Sequence, residues 1–343
     1  MVRRDIGTDD PRVRVRRGRK GKKSRRRSKD RVDYSDAPIG QVIAVDRGRY
    51  RVRLGEVDVR AVKARELGRH AIVVGDRVRL VGDLSGRADT LARLVEVTPR
   101  STELTRSAED TPGGREKPMV ANADLMVIVT ACADPPPRPR MIDRCLVAAY
   151  AGGISPLLVA TKADLAPAAP LLDQFTGLGL PSLVTSFDGE AWEGLEGLSE
   201  AVRGHTCVLV GHSGVGKSTL TNALIPEAAR RTGEVNAVTG RGRHTSTGAV
   251  ALELPGGGWL IDTPGIRSFG LAHVEIDDLL AAFADLAEAA NQCPRRCSHT
   301  ADEVECALDA WARGDARREA RLDSFRRLLE TKLSAAEPWQ VGH

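Results

Sequence analysis

The stretch Cys207-Val208-Leu209-Val210-Gly211-His212-Ser213-Gly214-Val215-Gly216-Lys217-Ser218-Thr219 decides the fold. Its four apolar residues read as a buried strand, and they run directly into the pattern GxxxxGK[ST]. Glycines at 211, 214 and 216 let backbone N–H groups converge on an anion at the start of a helix. Lys217 brings positive charge to the β- and γ-phosphates of a nucleotide, and Ser218 can ligate Mg²⁺. Gly211, Ser213, Gly214, Val215, Gly216, Lys217, Ser218 and Thr219 are therefore candidate nucleotide-binding residues, with Lys217 also a candidate catalytic cation.

Downstream lies Trp259-Leu260-Ile261-Asp262-Thr263-Pro264-Gly265. An Asp closing an apolar strand at this place can hold Mg²⁺, and Gly265 can turn its N–H toward the γ-phosphate. Between the two motifs runs the polar stretch Gly240-Arg241-Gly242-Arg243-His244-Thr245-Ser246-Thr247. A switch segment belongs here, with a Thr hydroxyl completing the magnesium shell; spacing leaves both Thr245 and Thr247 open, Thr245 first.

Upstream, Thr161-Lys162-Ala163-Asp164 closes another apolar strand. A carboxylate at Asp164 can accept both N1–H and N2–H of guanine, whereas adenine offers it an unprotonated N1. This argues against an ATP-driven motor or kinase. Ser186, 22 residues beyond Asp164, falls where a second base-contacting loop is expected. Ordinary GTPases run phosphate loop, switch, DxxG, base motif, base-contacting loop; here the base motif and Ser186 precede the phosphate loop and DTPG comes last. A parallel sheet tolerates such a circular permutation when the cut falls in a surface loop.

The runs Leu125–Thr130, Leu157–Thr161, Leu183–Thr185, Cys207–Val210 and Trp259–Ile261 read as buried parallel strands of an α/β domain over residues 101–272. Before it, Gln41–Val45, Tyr50–Leu54, Val57–Val62 and Arg77–Val81 are short strands punctuated by Gly48, Gly55, Gly75, Gly82 and Gly86. They point to a small closed barrel of the OB type at residues 36–100. Arg47, Arg49, Arg51 and Arg53 alternate with Gly48, Tyr50, Val52 and Leu54, which predicts four guanidiniums on one face. Tyr50 is the only aromatic residue of this region, so backbone and shape recognition of RNA is expected in place of base stacking.

Residues 1–33 hold 15 Lys and Arg against 5 Asp, so +10 of charge sits in the tail while the whole chain nets +5. Such a segment, set at 1–35, cannot build a core and suits a phosphate-rich partner. No apolar run is long enough for a bilayer and no signal segment is read, so a cytoplasmic protein without a membrane partner is expected. After residue 272 the pattern turns helical over 273–343. Ile276, Leu279, Leu280, Phe283 and Leu286 share one helical face, and Leu322, Phe325, Leu328, Leu329 and Leu333 share another. Between these faces Cys293, Cys297, His299 and Cys306 form a closed structural Zn²⁺ set, three thiolates and one imidazole. The other cysteines, Cys132, Cys145 and Cys207, sit in apolar surroundings as packing residues.

Barrel, permuted GTPase and Cys/His element together resemble the bacterial ribosome small subunit-dependent GTPase family over about residues 37–335. Further phrases that carry the resemblance are Val74-Gly75-Asp76-Arg77-Val78, Pro99-Arg100-Ser101-Thr102-Glu103-Leu104-Thr105-Arg106 and Arg243-His244-Thr245. The resemblance implies binding of the small (30S) ribosomal subunit and its rRNA in late assembly, with GTP hydrolysis to GDP accompanying release. Two departures stand out. His212 occupies a place where the family often has Gln, and the metal spacing is C-x₃-C-x-H-x₆-C in place of C-x₄-C-x-H-x₅-C.

Ile266 follows the DTPG glycine, where many GTPases carry a water-orienting Gln. Slow intrinsic turnover is expected, with His244 the nearest candidate to orient water; the resemblance points the same way. The competing reading is a GTP-gated RNA-binding protein acting on another structured RNA with incidental hydrolysis. A monomer suits a protein that docks on a large asymmetric particle.

Overall fold

The computed structural model describes residues 33–46, 48–68, 71–106, 117–226, 249–263, 269, 271 and 274–336. The basic tail up to residue 32 and Arg47 lie outside the described residues, as do the segments 227–248 and 264–268.

Five strands make the first architectural unit: β1 (Ile39–Asp46), β2 (Arg49–Leu54), β3 (Val57–Lys63), β4 (Arg77–Gly82) and β5 (Ala92–Val97). They follow the order β1-β2-β3-β5-β4, and β4 pairs back onto β1, closing the barrel expected from the sequence. Alternation explains the filling. Tyr50 and Val52 of β2 point inward to join Val42, Val59, Val78, Leu80 and Leu94, while Arg49 and Arg51 stand exposed.

Arg53 corrects the expectation of a free arginine row. Its Nε donates to Asp58 at 2.6 Å, its Nη1 to Glu253 at 2.8 Å, and its guanidinium lies 5.4 Å from the Trp259 ring centroid. Acidic and aromatic partners on a neighbouring strand pair draw this one residue out of the row.

A hairpin of β6 (Glu103–Arg106) and β7 (Lys117–Ala121) then leads into the α/β half. Its strands are β8 (Leu125–Ala131), β9 (Ser155–Thr161), β10 (Ser182–Val184), β13 (Thr206–Val210), β14 (Val250–Glu253) and β15 (Trp259–Asp262). A short hairpin, β11 (Ser186–Phe187) with β12 (Trp192–Glu193), stands apart. The order β10-β9-β8-β13-β15 is parallel throughout, and β14 runs antiparallel beside β15.

Every residue of β8 is buried, because both sheet faces are covered. Met126 and Ile128 face one core, and Leu125, Val127 and Val129 face the other. The second core is closed by α3 (Leu195–Val202) and α4 (Lys217–Leu224). The first is closed by α1 (Pro139–Ala151), the short α2 (Ala169–Leu172), a 3₁₀ turn at Asp173–Leu178 and the C-terminal helices.

Those helices are α5 (Ile276–Ala281), α6 (Ala284–Ala290), α7 (Ala307–Ala312) and α8 (Ala316–Ala336). The single helical face expected across Ile276–Leu286 is in fact split. Phe283 has φ −120°, outside helical geometry, and its ring is wedged edge-on between Tyr150 at 5.2 Å and Phe325 at 5.8 Å. Aromatic packing overrides the local helical period here.

Barrel and α/β half share one sheet, because β14 pairs with β1 at Val250 and Ala44. The register between β1 and β2 shifts between Val42 and Ala44, a bulge that lets β1 serve two cores. Val42 packs in the barrel and Ile43 in the core beneath the parallel sheet.

A second joint lies at Gly75-Asp76. Asp76 is fully buried and takes both Nε and Nη2 of Arg100, at 2.8 and 2.9 Å, while Arg100 Nη1 donates to Glu103 at 2.6 Å. Hydrogen bonds with Asp76 hold the Arg100 guanidinium above its ordinary pKa, against the opposing effect of burial. Gly75 has φ +91°, and a Cβ there would meet the Ala121 carbonyl oxygen at 1.9 Å.

Candidate functional site

The phosphate loop leaves β13 and enters α4 as its motif predicts. Gly211, Gly214 and Gly216 all have positive φ, and a Cβ on Gly211 would lie 2.3 Å from the Val129 oxygen. Glycine is therefore required at 211 for both conformation and space. Lys217 folds back over the loop, its Nζ donating to the carbonyls of Gly211 at 2.6 Å and His212 at 2.8 Å. A phosphate oxygen is a stronger acceptor for the same ammonium. Burial lowers the Lys217 pKa, and Asp262 works against that shift. Burial correspondingly raises Asp262, with Lys217 and the Thr263 backbone N–H opposing. Lys217 and Asp262 are thus near enough to oppose each other's shift, and Ser218 is exposed at the start of α4.

Thr161 ties the base motif to the phosphate loop. Its buried hydroxyl donates to the Val215 carbonyl at 2.7 Å, with the Thr130 carbonyl at 3.2 Å. Lys162 adopts φ +57° and its Nζ donates to the Asp134 carbonyl. The next residue, Pro135, reaches back to the phosphate loop: a Cβ on Gly214 would lie 3.4 Å from its Cδ. Loop 132–135 therefore touches both the Thr161–Asp164 turn and the 211–216 loop. Asp164 sits beside the Cys132 thiol, whose pKa is raised by burial and by that neighbouring carboxylate.

Ser186 joins this group through its neighbour, since the Ala163 N–H donates to the Thr185 carbonyl at 3.4 Å. Its hydroxyl is taken by Glu193 at 3.1 Å across the small hairpin. The buried Thr185 hydroxyl has no hydrogen-bond partner among the described residues. Thr185, Asp134 and Glu193 were missed by motif reading, because nothing in their spacing separates them from ordinary loop residues. Of the sequence candidates, His244, Thr245, Thr247 and Gly265 lie outside the described residues, as does Ile266.

The four zinc candidates converge. All their ligand atoms lie within 4.8 Å of one another. Cys293 Sγ is 3.6 Å from His299 Nδ1 and 4.0 Å from Cys306 Sγ, and Cys306 Sγ is 3.7 Å from His299 Nδ1. A tetrahedron with Zn–S near 2.3 Å has edges of about 3.8 Å, so the set fits the ion and the altered spacing is absorbed by the loop. Arg296 and His299 both adopt positive φ to achieve it. Burial pushes the Cys306 thiol up to about 12, so metal binding here must displace protons. The Ala307 N–H supports the set by donating to Cys293 Sγ at 3.3 Å.

Comparison with known proteins follows the same lines. The sequence model of the RsgA GTPase family matches residues 97–272. A Pseudomonas putida protein named small ribosomal subunit biogenesis GTPase RsgA is 40% identical over 266 residues, 76% of this chain and 74% of the relative. A Pseudomonas aeruginosa protein of the same name is 41% identical over 267 residues, 76% of this chain and 75% of the relative. Among solved structures, YjeQ from Thermotoga maritima superposes with TM-score 0.62 at 26% identity, covering 85% of this chain and 98% of that one. YloQ, described as a circularly permuted GTPase, shares the fold with TM-score 0.63 at 23% identity, covering 90% and 99% of the two chains.

Proposed function

The chain belongs to the RsgA GTPase family and is a GTP hydrolase, and from that premise we propose that it acts in biogenesis of the small ribosomal subunit, hydrolysing GTP while docked on that particle. The observation that carries the nucleotide chemistry is the Thr161–Val215 bond, which joins a guanine-type motif to a phosphate loop that follows it in sequence.

In this reading Asp164 accepts the guanine N1–H and N2–H, and Lys162 and the Thr185-Ser186 turn border the base. The loop N–H groups of 211–219 and Lys217 hold the phosphates. Ser218, Asp262 and Thr245 would hold Mg²⁺, which neutralises charge on the β- and γ-phosphates when bound. Gly265 addresses the γ-phosphate and His244 orients the attacking water, Ile266 being unable to. Cys293, Cys297, His299 and Cys306 would hold one structural Zn²⁺ with no open coordination position.

Docking falls to the barrel and the basic tail. Arg51 and Arg60 stand directly opposite one another on adjacent strands, both exposed. Like charges so placed destabilise the barrel, and a polyanion relieves them. Phosphate backbone of rRNA is the fitting partner. A cytoplasmic monomer follows from such docking; among the described residues no helix is long and apolar enough to cross a membrane.

The test is GTP hydrolysis alone, with small subunits and with large subunits, ATP serving as control. Small subunits are expected to raise turnover roughly 10³–10⁵-fold, the scale of completing a GTPase site. Asp164→Asn should shift preference from guanine toward xanthine nucleotides. Turnover indifferent to subunits would instead favour a GTP-gated protein acting on another structured RNA.

A further inference from the structure

The four metal candidates come from two segments that are held very differently. Cys293, Cys297 and His299 lie on the loop that follows α6, and Cys306 directly precedes α7. The Cys306 side is fixed by the core, since Leu308 and Ala312 of α7 are buried with Cys306 itself. The loop side has no such anchor. Its backbone bonds are local, from the Cys297 N–H to the Pro294 carbonyl at 3.1 Å and from the Glu303 N–H to the Thr300 carbonyl at 3.3 Å. Ser298 bonds to Thr300 and Glu303 within the same loop. Cys293 and Cys297 pack partly against the core, a contact without direction. Between His299 and Cys306 the chain is open, with Val304 95% exposed.

Among the described residues, one side chain from outside bonds to the backbone of this loop. Arg326 of α8 donates its Nε to the His299 carbonyl at 3.1 Å, and its Nη1 and Nη2 to the two carboxylate oxygens of Asp309 in α7 at 2.7 and 2.9 Å. The rigid planar fork therefore spans both ligand-bearing segments. The Arg326 side chain is 12% exposed, so little water competes for these bonds. Hydrogen bonds with Asp309 hold the guanidinium above its ordinary pKa against the opposing effect of burial, and Cys306 acts in the same direction. His299 needs such a hold. Its φ is +55°, a left-handed conformation that is costly for a residue with a Cβ, and its Nδ1 must meet the Cys293 and Cys306 sulfurs.

We propose that Arg326 is the positioning residue of the zinc site: by bonding the His299 backbone and Asp309 at once, it sets the loop-borne imidazole against the core-borne Cys306 sulfur and organises the four ligands before the ion arrives. This rests on the assignment of one structural Zn²⁺ to Cys293, Cys297, His299 and Cys306. Ligands already in place bind more tightly, because less chain freedom is lost on binding.

The test uses the full chain, stripped of metal and titrated with Zn²⁺ against a chromophoric chelator, with Co²⁺ as a spectroscopic probe. Arg326→Met keeps an apolar stem and removes all three bonds. It is expected to bind Zn²⁺ roughly 10- to 100-fold more weakly, the usual effect of losing an outer partner of a metal ligand. At saturation its Co²⁺ bands should remain those of a tetrahedral three-sulfur, one-nitrogen set, because the ligands are unchanged. Arg326→Lys keeps the charge but has no fork, so most of the loss should remain. Arg317→Met removes an exposed cation from the same helix and should bind as wild type. Circular dichroism of the stripped proteins establishes folding. If Arg326→Met does not fold, Asp309→Asn carries the test, with an expected loss of about tenfold. Wild-type zinc affinity in the folded variant overturns the proposal. Full recovery in Arg326→Lys, or an equal loss in Arg317→Met, overturns it too, since either assigns the effect to charge. A wild-type chain that takes up neither Zn²⁺ nor Co²⁺ removes the metal assignment itself, and the proposal with it.

Discussion

Thr161 shows how much one hydroxyl can carry. It is buried, it ends β9, and its bond to the Val215 carbonyl is the direct side-chain link between the base motif and the phosphate loop. Thr161→Val keeps volume and β-branching while removing the donor, so the loss should be that of a buried bond whose acceptor is left unpaired. The expected cost is about 1–3 kcal/mol, read as roughly 5- to 150-fold weaker binding of GDP with little change in fold by circular dichroism. Affinity within twofold of wild type would mean that the two motifs are held together by packing alone. The motif was legible at this position, but the partner was not, because Val215 lies 54 residues further along the chain.

Helix α8 shows what an element decides that its own sequence does not advertise. Its apolar stripe of Leu322, Phe325, Leu328, Leu329 and Leu333 was readable from helical spacing; the first four are buried and Leu333 is half-buried. Its arginines were not readable as clamps. Arg321 donates Nε to Asp285 at 2.5 Å and Nη2 at 2.9 Å, and reaches the Leu178 carbonyl at 3.1 Å. Arg327 pairs with the buried Asp143 at 3.1 Å and donates to the Gln174 carbonyl at 2.9 Å. The helix is so close to the 3₁₀ turn that a Cβ on Gly177 would lie 2.4 Å from the Ala320 oxygen. Burial acts to raise the Asp285 pKa, but the bonds from Arg321 outweigh it and hold the carboxyl below its ordinary value. A depressed carboxylate contributes stability above its unfolded pKa and loses it as pH falls through the folded one. Asp285→Asn should therefore lower the melting temperature at neutral pH. The gap from wild type should close as pH drops below the usual carboxylate range, and a gap independent of pH would assign the effect to packing.

At the scale of the whole molecule the barrel and the α/β half are joined by the shared sheet at β1–β14 and by Val74-Gly75 against β7 and Asn122, beside which sits the Asp76–Arg100 pair. Asp76 is fully buried and Arg100 is its cationic partner, so removing the cation leaves a charge that water cannot reach. Arg100→Met is expected to destabilise by about 3–5 kcal/mol in denaturant unfolding, and Arg100→Met with Asp76→Asn by less, since the uncompensated charge is gone. Equal losses in the single and double variants would show that the salt bridge matters through hydrogen bonds to the loop, not through charge. The exposed pair Arg53–Glu253 at the other joint should behave oppositely in the same assay, with almost no change in stability.

Sequence by itself determined the chemistry of this chain and the order of its parts. Gly211–Ser218, Thr161–Asp164 and Asp262–Gly265 are local patterns, each written in consecutive residues because a loop that wraps a phosphate or a base must be contiguous. Strand alternation at Tyr50 and Val52 and helical spacing in α8 are equally local, so the barrel and the helices were legible. The tertiary structure alone decided what those pieces touch. That Arg53 leaves its row for Glu253 and Trp259, 200 residues away for the acid, follows from which strand edge β1 adopts. That Phe283 breaks a helix follows from rings at Tyr150 and Phe325. Periodicity records the face a residue presents; the partner on that face is set by close packing among distant segments, which no local pattern encodes.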